Sequence, residues 1–129
     1  CGGGGVVWGV GVGVVWVCVL IVEKIKEIAG DDAVVFLGGD FNMPDTEKGI
    51  KPLQEYMKDA AKSVRKADPA PTFNDFGRKG SKPMWLDHLM FRGATAKSFI
   101  VVDENKYGVQ YISDHYPIVA DFIIPVPKK

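Results

Sequence analysis

Apolar positions in this chain fall into short runs closed by polar or turn residues, and the spacing within each run indicates its element. Val34-Val35-Phe36-Leu37-Gly38 is continuous, rich in β-branched and aromatic residues, and stops at a second glycine. That pattern predicts a strand buried on both faces. Beyond it, Asp40 and Asn42 are two residues apart and share one side if the strand continues. The same stretch, through Pro44 and Asp45, is also ordinary turn chemistry. Upstream, Ile25 and Ile28 lie three apart in residues 23–29 and predict the end of an amphipathic helix, stopped by Gly30. Downstream, Leu53, Tyr56, Met57, Ala60, Ala61 and Val64 recur on one helical face. They predict a second helix over about 52–64, with Pro52 in its first turn. Residues 67–83, with their prolines and glycines, read as loop. Strands are predicted at 86–91, 98–103 and 117–125, with a turn from Asp103 to Gly108. Strands outnumber helices after residue 65, which implies a layered α/β architecture.

The first 22 residues break this pattern. Residues 1–22 carry no charge, and residues 6–22 are almost entirely Gly, Val and Trp. A membrane span needs about 20 apolar residues, but Gly and Val are weak helix formers and no basic flank sets an orientation. The Gly-Val alternation at residues 10–14 fits a strand. Gly9, Gly11 and Gly13 resemble a phosphate loop only loosely, without the Lys or acidic partner such a loop requires. A segment foreign to the domain that begins at Glu23 is the remaining reading. The organisation is therefore an atypical segment, 1–22, followed by a domain, 23–129.

Composition narrows the function classes. At 129 residues the chain is one domain at most. Sixteen basic and sixteen acidic residues cancel, which argues against an obligate nucleic-acid enzyme, since phosphate contacts call for clustered Lys and Arg. Arg78, Lys79 and Lys82 form a local basic cluster, either a solvated loop or a contact for an anionic substrate. Cys1 and Cys18 fit neither a metal spacing nor a disulfide framework.

Three polar clusters border apolar runs: Asp40/Asn42, Asp87/His88 and Ser113-Asp114-His115. Charges beside buried strands are costly unless paired or metal-bound. Asp114 beside His115 suits a metal ligand followed by a base, because histidine titrates near neutral pH. Asp87 is a candidate to orient the second ring nitrogen of His115. His88 is either a packed strand residue or a second catalytic group.

In chain order, Gly39-Asp40-Phe41-Asn42, the run Trp85-Leu86-Asp87-His88-Leu89-Met90-Phe91, and the run Ser113-Asp114-His115-Tyr116-Pro117-Ile118-Val119 resemble three motifs of one family. They are the C-terminal motifs of the endonuclease/exonuclease/phosphatase superfamily, with its deoxyribonuclease I-like fold. Thr72-Phe73 resembles the short Thr-aromatic motif that precedes the second of them. The resemblance spans about residues 21–124, the C-terminal half of that domain. It implies part of a four-layer α/β sandwich, two mostly antiparallel sheets flanked by helices. It also implies a divalent-metal-dependent phosphoester hydrolase, of nuclease, phosphodiesterase or phosphatase type. By resemblance Asp40 positions or deprotonates the attacking water and contributes to metal binding. Asn42 holds a phosphate oxygen and the nucleophile, Asp114 ligates Mg²⁺ or Mn²⁺, and His115, oriented by Asp87, contacts the scissile phosphate. The implied substrate is a phosphate ester: nucleic acid, phospholipid head group or sugar phosphate. The Ser-Asp-His-Tyr-Pro ending looks most like bacterial secreted-type members.

The family's first half supplies an early Asn, a metal-binding Glu and a second His, and residues 1–22 contain no counterpart of them. Half of a two-sheet sandwich leaves an apolar face uncovered. Two further outcomes therefore stand beside the hydrolase: a catalytically incompetent half-domain that self-associates to complete the sandwich, or a module tethered to a membrane through residues 6–22.

Overall fold

A computed structural model describes residues 10–64, 70–103 and 108–126, with backbone alone at 10–14. Residues 1–9, part of the 67–83 loop and most of the turn expected between Asp103 and Gly108 lie outside the described residues. The elements in chain order are α1 (Val10–Ala29), β1 (Val35–Asp40), a 3-10 turn (Lys48–Ile50), α2 (Lys51–Tyr56), β2 (Lys58–Asp59), α3 (Ala60–Ser63), a second 3-10 turn (Asp75–Gly77), β3 (Asp87–Arg92), β4 (Thr95–Val101) and β5 (Ile118–Ile123).

One antiparallel sheet has the order β1-β3-β2, and a second pairs β4 with β5. Helices α1 and α2 cover one face of the first sheet, where Cys18, Val22, Ile50, Leu53, Met57 and Met90 form a buried cluster. On the opposite face Phe91 packs with Ala60, Ala61 and Phe99. Phe122 of β5 reaches across to Phe91 and Phe36, with ring centroids 5.0 and 4.7 Å away. The result is an α/β arrangement of two antiparallel sheets with helices, as the motifs implied.

Three local expectations need correction. Residues 10–14 are helical, not a strand. The Gly-Val alternation is overridden because Cys18 and Val22, four apart, seat α1 on the core, and packing outweighs weak propensity. The helix is continuous through Val22 and Glu23. Among the described residues, no helix is long and apolar enough to cross a membrane. β1 is not buried on both faces: Val35 and Leu37 pack on the helical side, while Phe36 on the other side remains 43% exposed.

The expected helix over 52–64 is broken at Met57, which is extended (φ −129°, ψ 160°). Lys58 and Asp59 then pair with Phe91 and Met90 of β3, and Asp59 restarts the helix by accepting a hydrogen bond from the Ala61 N–H at 2.9 Å. The apolar spacing was real but serves two cores. Leu53 and Met57 enter the helix-facing cluster, and Ala60 and Ala61 enter the one between the sheets.

Candidate active site

Antiparallel register brings the first two motifs together. The β1–β3 pairing sets Asp40 opposite Asp87 and Gly39 opposite His88, so the acid that ends one strand meets the acid that begins the other. After Asp40 the strand does not continue. Asn42 takes a positive φ of 50°, and its backbone N–H returns to Asp40 Oδ1 at 2.7 Å. Asp40 and Asn42 are therefore joined by an Asx turn and not by strand alternation. With Oδ1 occupied by that bond, Oδ2 is the oxygen that faces the third motif.

Thr72 places that third motif. It is completely buried, and its hydroxyl accepts hydrogen bonds from the N–H groups of Leu86 and Asp87, both at 3.0 Å. Its carbonyl accepts from Tyr116 N–H at 2.7 Å. One residue thus ties the start of β3 to the segment carrying His115. Phe73 packs on the His115 ring with centroids 5.1 Å apart. Asn74 adds a second tie: its side-chain N–H₂ donates to Ser113 O at 3.2 Å, and its backbone N–H donates to Asp114 O at 2.8 Å. The sequence offered Thr72 only as part of a motif and gave Asn74 no role. Both act on partners far along the chain, which spacing does not reveal.

These ties leave His115 Nδ1 2.7 Å from Asp87 Oδ2 and Nε2 3.8 Å from Asp40 Oδ2. The first is a hydrogen bond and the second is too long for one. Asp87 thus fixes the ring, with Nε2 open beside the Asp40 carboxylate. The hydrogen bond to Asp87 raises the His115 pKa above its ordinary value; partial burial opposes the rise, and the charges of Asp87, Asp40 and Asp114 add to it.

Among the described residues, Asp40, Asp87 and His115 present donor atoms within 4.8 Å of one another. Two carboxylates suit a hard cation such as Mg²⁺ or Mn²⁺ better than Zn²⁺. The Asp114 carboxylate stands apart from that group, with the Ser113 hydroxyl 3.3 Å from its Oδ1. Asp40, Asn42, Asp87 and His115 are thus gathered at one end of the first sheet, with Asp114 adjoining. His88, one residue beyond Asp87, is completely buried and faces away from this opening. Arg78 of the basic cluster pairs with Asp75 at 3.3 Å.

A family model described as "Endonuclease/Exonuclease/phosphatase family" matches residues 6–115. No curated protein matches the sequence. Among solved structures, an endonuclease/exonuclease/phosphatase from Bacteroides vulgatus is 27% identical with a TM-score of 0.73, covering 87% of this chain and 44% of its own. A mannosyl-6-phosphatase from Bacteroides thetaiotaomicron is 22% identical, TM-score 0.74, covering 86% and 46%. An endonuclease/exonuclease/phosphatase family protein from the same organism is 20% identical, TM-score 0.76, covering 90% and 45%. The chain spans less than half the length of each of these structures.

Proposed function

Because the chain belongs to the endonuclease/exonuclease/phosphatase family, we propose that it forms the His115-bearing part of a divalent-metal-dependent phosphoester hydrolase that directs water at phosphorus. The observation that carries this reading is the His115 ring, held at Nδ1 by Asp87 at 2.7 Å with Nε2 open beside Asp40. Asp40 Oδ2 orients the attacking water and takes its proton. The Asn42 side-chain amide donates to a phosphate oxygen. His115, whose pKa the bond to Asp87 raises, when protonated donates from Nε2 to an equatorial phosphate oxygen as charge builds there. Asp87 holds the Nδ1 proton and so keeps the donor at Nε2 aimed outward. Asp40, from the Asp40–Asp87–His115 group, would hold Mg²⁺ or Mn²⁺, with Asp114 beside that group as a further ligand; the cation when bound supplies Lewis-acid neutralisation of the phosphate charge.

Nucleic acid, phospholipid head groups and sugar phosphates all present the ester this site would address. The mannosyl-6-phosphatase of the same fold puts mannose 6-phosphate in the test panel beside p-nitrophenyl phosphate and bis(p-nitrophenyl) phosphate. With Mn²⁺, turnover of one of these should exceed the EDTA control and fall by about 10²-fold or more in His115→Ala. Turnover equal in wild type and His115→Ala would overturn the reading.

A second reading is favoured by the exposed apolar residues Phe36, Ile100, Val119 and Ile123 on the two sheets: a module that self-associates through those faces. It predicts assembly that grows with concentration.

A further inference from the structure

His88 follows Asp87 on β3, so strand alternation turns it inward while Asp87 faces the opening. It is completely buried, where an ionisable ring is tolerated only if its nitrogens find partners. Both do. Nε2 lies 3.0 Å from the Met43 carbonyl, and Nδ1 lies 2.8 Å from Asp59 Oδ2. A carbonyl and a carboxylate both accept, so the ring donates from both nitrogens. Trp85 and Phe41 flank it with centroids 5.0 and 5.6 Å away, leaving it little room to turn.

Its two partners belong to different parts of the fold. Met43 directly follows Asn42, on the loop that leaves Asp40. Asp59 sits on β2 opposite Met90, and its other oxygen caps α3 through Ala61. His88 therefore links the loop bearing Asp40 and Asn42 to the strand bearing the carboxylate that fixes His115. An apolar side chain of similar size would fill the space without reaching either acceptor. It would also leave the Asp59 carboxylate buried without its ring partner, which is strongly unfavourable.

We propose that His88, anchored by Asp59, is a positioning residue for the phosphoester hydrolysis assigned above, an inference that rests on that reading. Through Asp59 it fixes the start of β3, which carries Asp87 against His115, and through Met43 it sets where Asp40 and Asn42 stand relative to that pair.

The chain has two histidines, so long-range ¹H–¹⁵N spectra of the whole chain report His115 directly. In EDTA, at a pH where the ring is neutral, Asp87 holds His115 as its Nδ1–H tautomer. His88→Leu should return it toward the Nε2–H form of an unconstrained imidazole. In Mn²⁺ the same variant should lower kcat by about tenfold or more with KM changed less than about threefold. Leu53→Ala, equally buried but in the helix-facing cluster, should lower the urea midpoint and move neither readout. If His88→Leu does not fold, His88→Gln and Asp59→Asn carry the same measurements. A folded His88 or Asp59 variant that keeps the Nδ1–H tautomer overturns the proposal, as does an equal tautomer change in Leu53→Ala. If the wild-type chain shows no turnover, the hydrolase reading falls while the tautomer still decides whether His88 positions the pair.

Discussion

At the residue scale, the two histidines show how partners set the charge of a ring. His115 is raised by its bond to Asp87. At His88, burial opposes the charge, but Asp59 and the Met43 carbonyl outweigh it and the pKa rises as well, with Asp45 adding to the rise. A folded-state pKa above the unfolded value of about 6.5 gives stability that is complete below that value and lost as pH rises through the folded value. In EDTA the urea midpoint should therefore fall as pH rises above about 6.5, and His88→Gln should flatten that fall. A midpoint that climbs over this range through the histidines would contradict the pairing. Asp87 and His115 were readable from their motifs. Asp59 was not, because its partner lies 29 residues away and the local apolar spacing placed it inside a helix.

At the scale of elements, the site is fixed by the segment before β3 more than by either strand. Thr72 offers one hydroxyl to two backbone N–H groups and one carbonyl to Tyr116. Replacing it with Val keeps the shape but orphans one buried and one partly buried donor, the buried one worth roughly 1–3 kcal/mol and the other less. Thr72→Val should therefore lower stability by about 2–4 kcal/mol in urea melts, with the His115 tautomer disturbed too. A neighbouring turn is held by shape: Gly77 has φ +66°, and a Cβ there would meet the Tyr111 hydroxyl oxygen at 2.5 Å. Gly77→Ala should cost about 1–3 kcal/mol, measured the same way, because the positive φ strains an alanine and the Tyr111 side chain must move aside. The sequence marked residues 67–83 as loop, and the described part, 70–83, is loop with one 3-10 turn, yet a loop's anchoring bonds go to distant chain and leave no periodicity.

At the scale of the whole molecule, the second sheet is thin and open. Ile100, Val119 and Ile123 on its two strands are 56, 47 and 53% exposed, and Phe36 on the first sheet is 43% exposed. β1 is an edge strand, with β3 its neighbour in the sheet order, and free edges and apolar faces both favour association. On the self-association reading, light scattering across a concentration series should show mass rising with concentration, and Ile100→Lys with Val119→Lys should suppress it. A monomer at every concentration would set self-association aside. The sequence by itself determined the elements whose cause is local: the β1, β3, β4 and β5 strands, the end of α1 at Gly30, and the order of the Asp40, Asp87 and His115 motifs. It did so because apolar runs and turn residues act over a few positions. Tertiary structure alone decided that residues 10–14 coil as helix, that the 52–64 face divides between two cores, and that His88 and Asp59 meet. Those outcomes depend on which surfaces come together, and a period along one segment carries no record of the segment that will cover it.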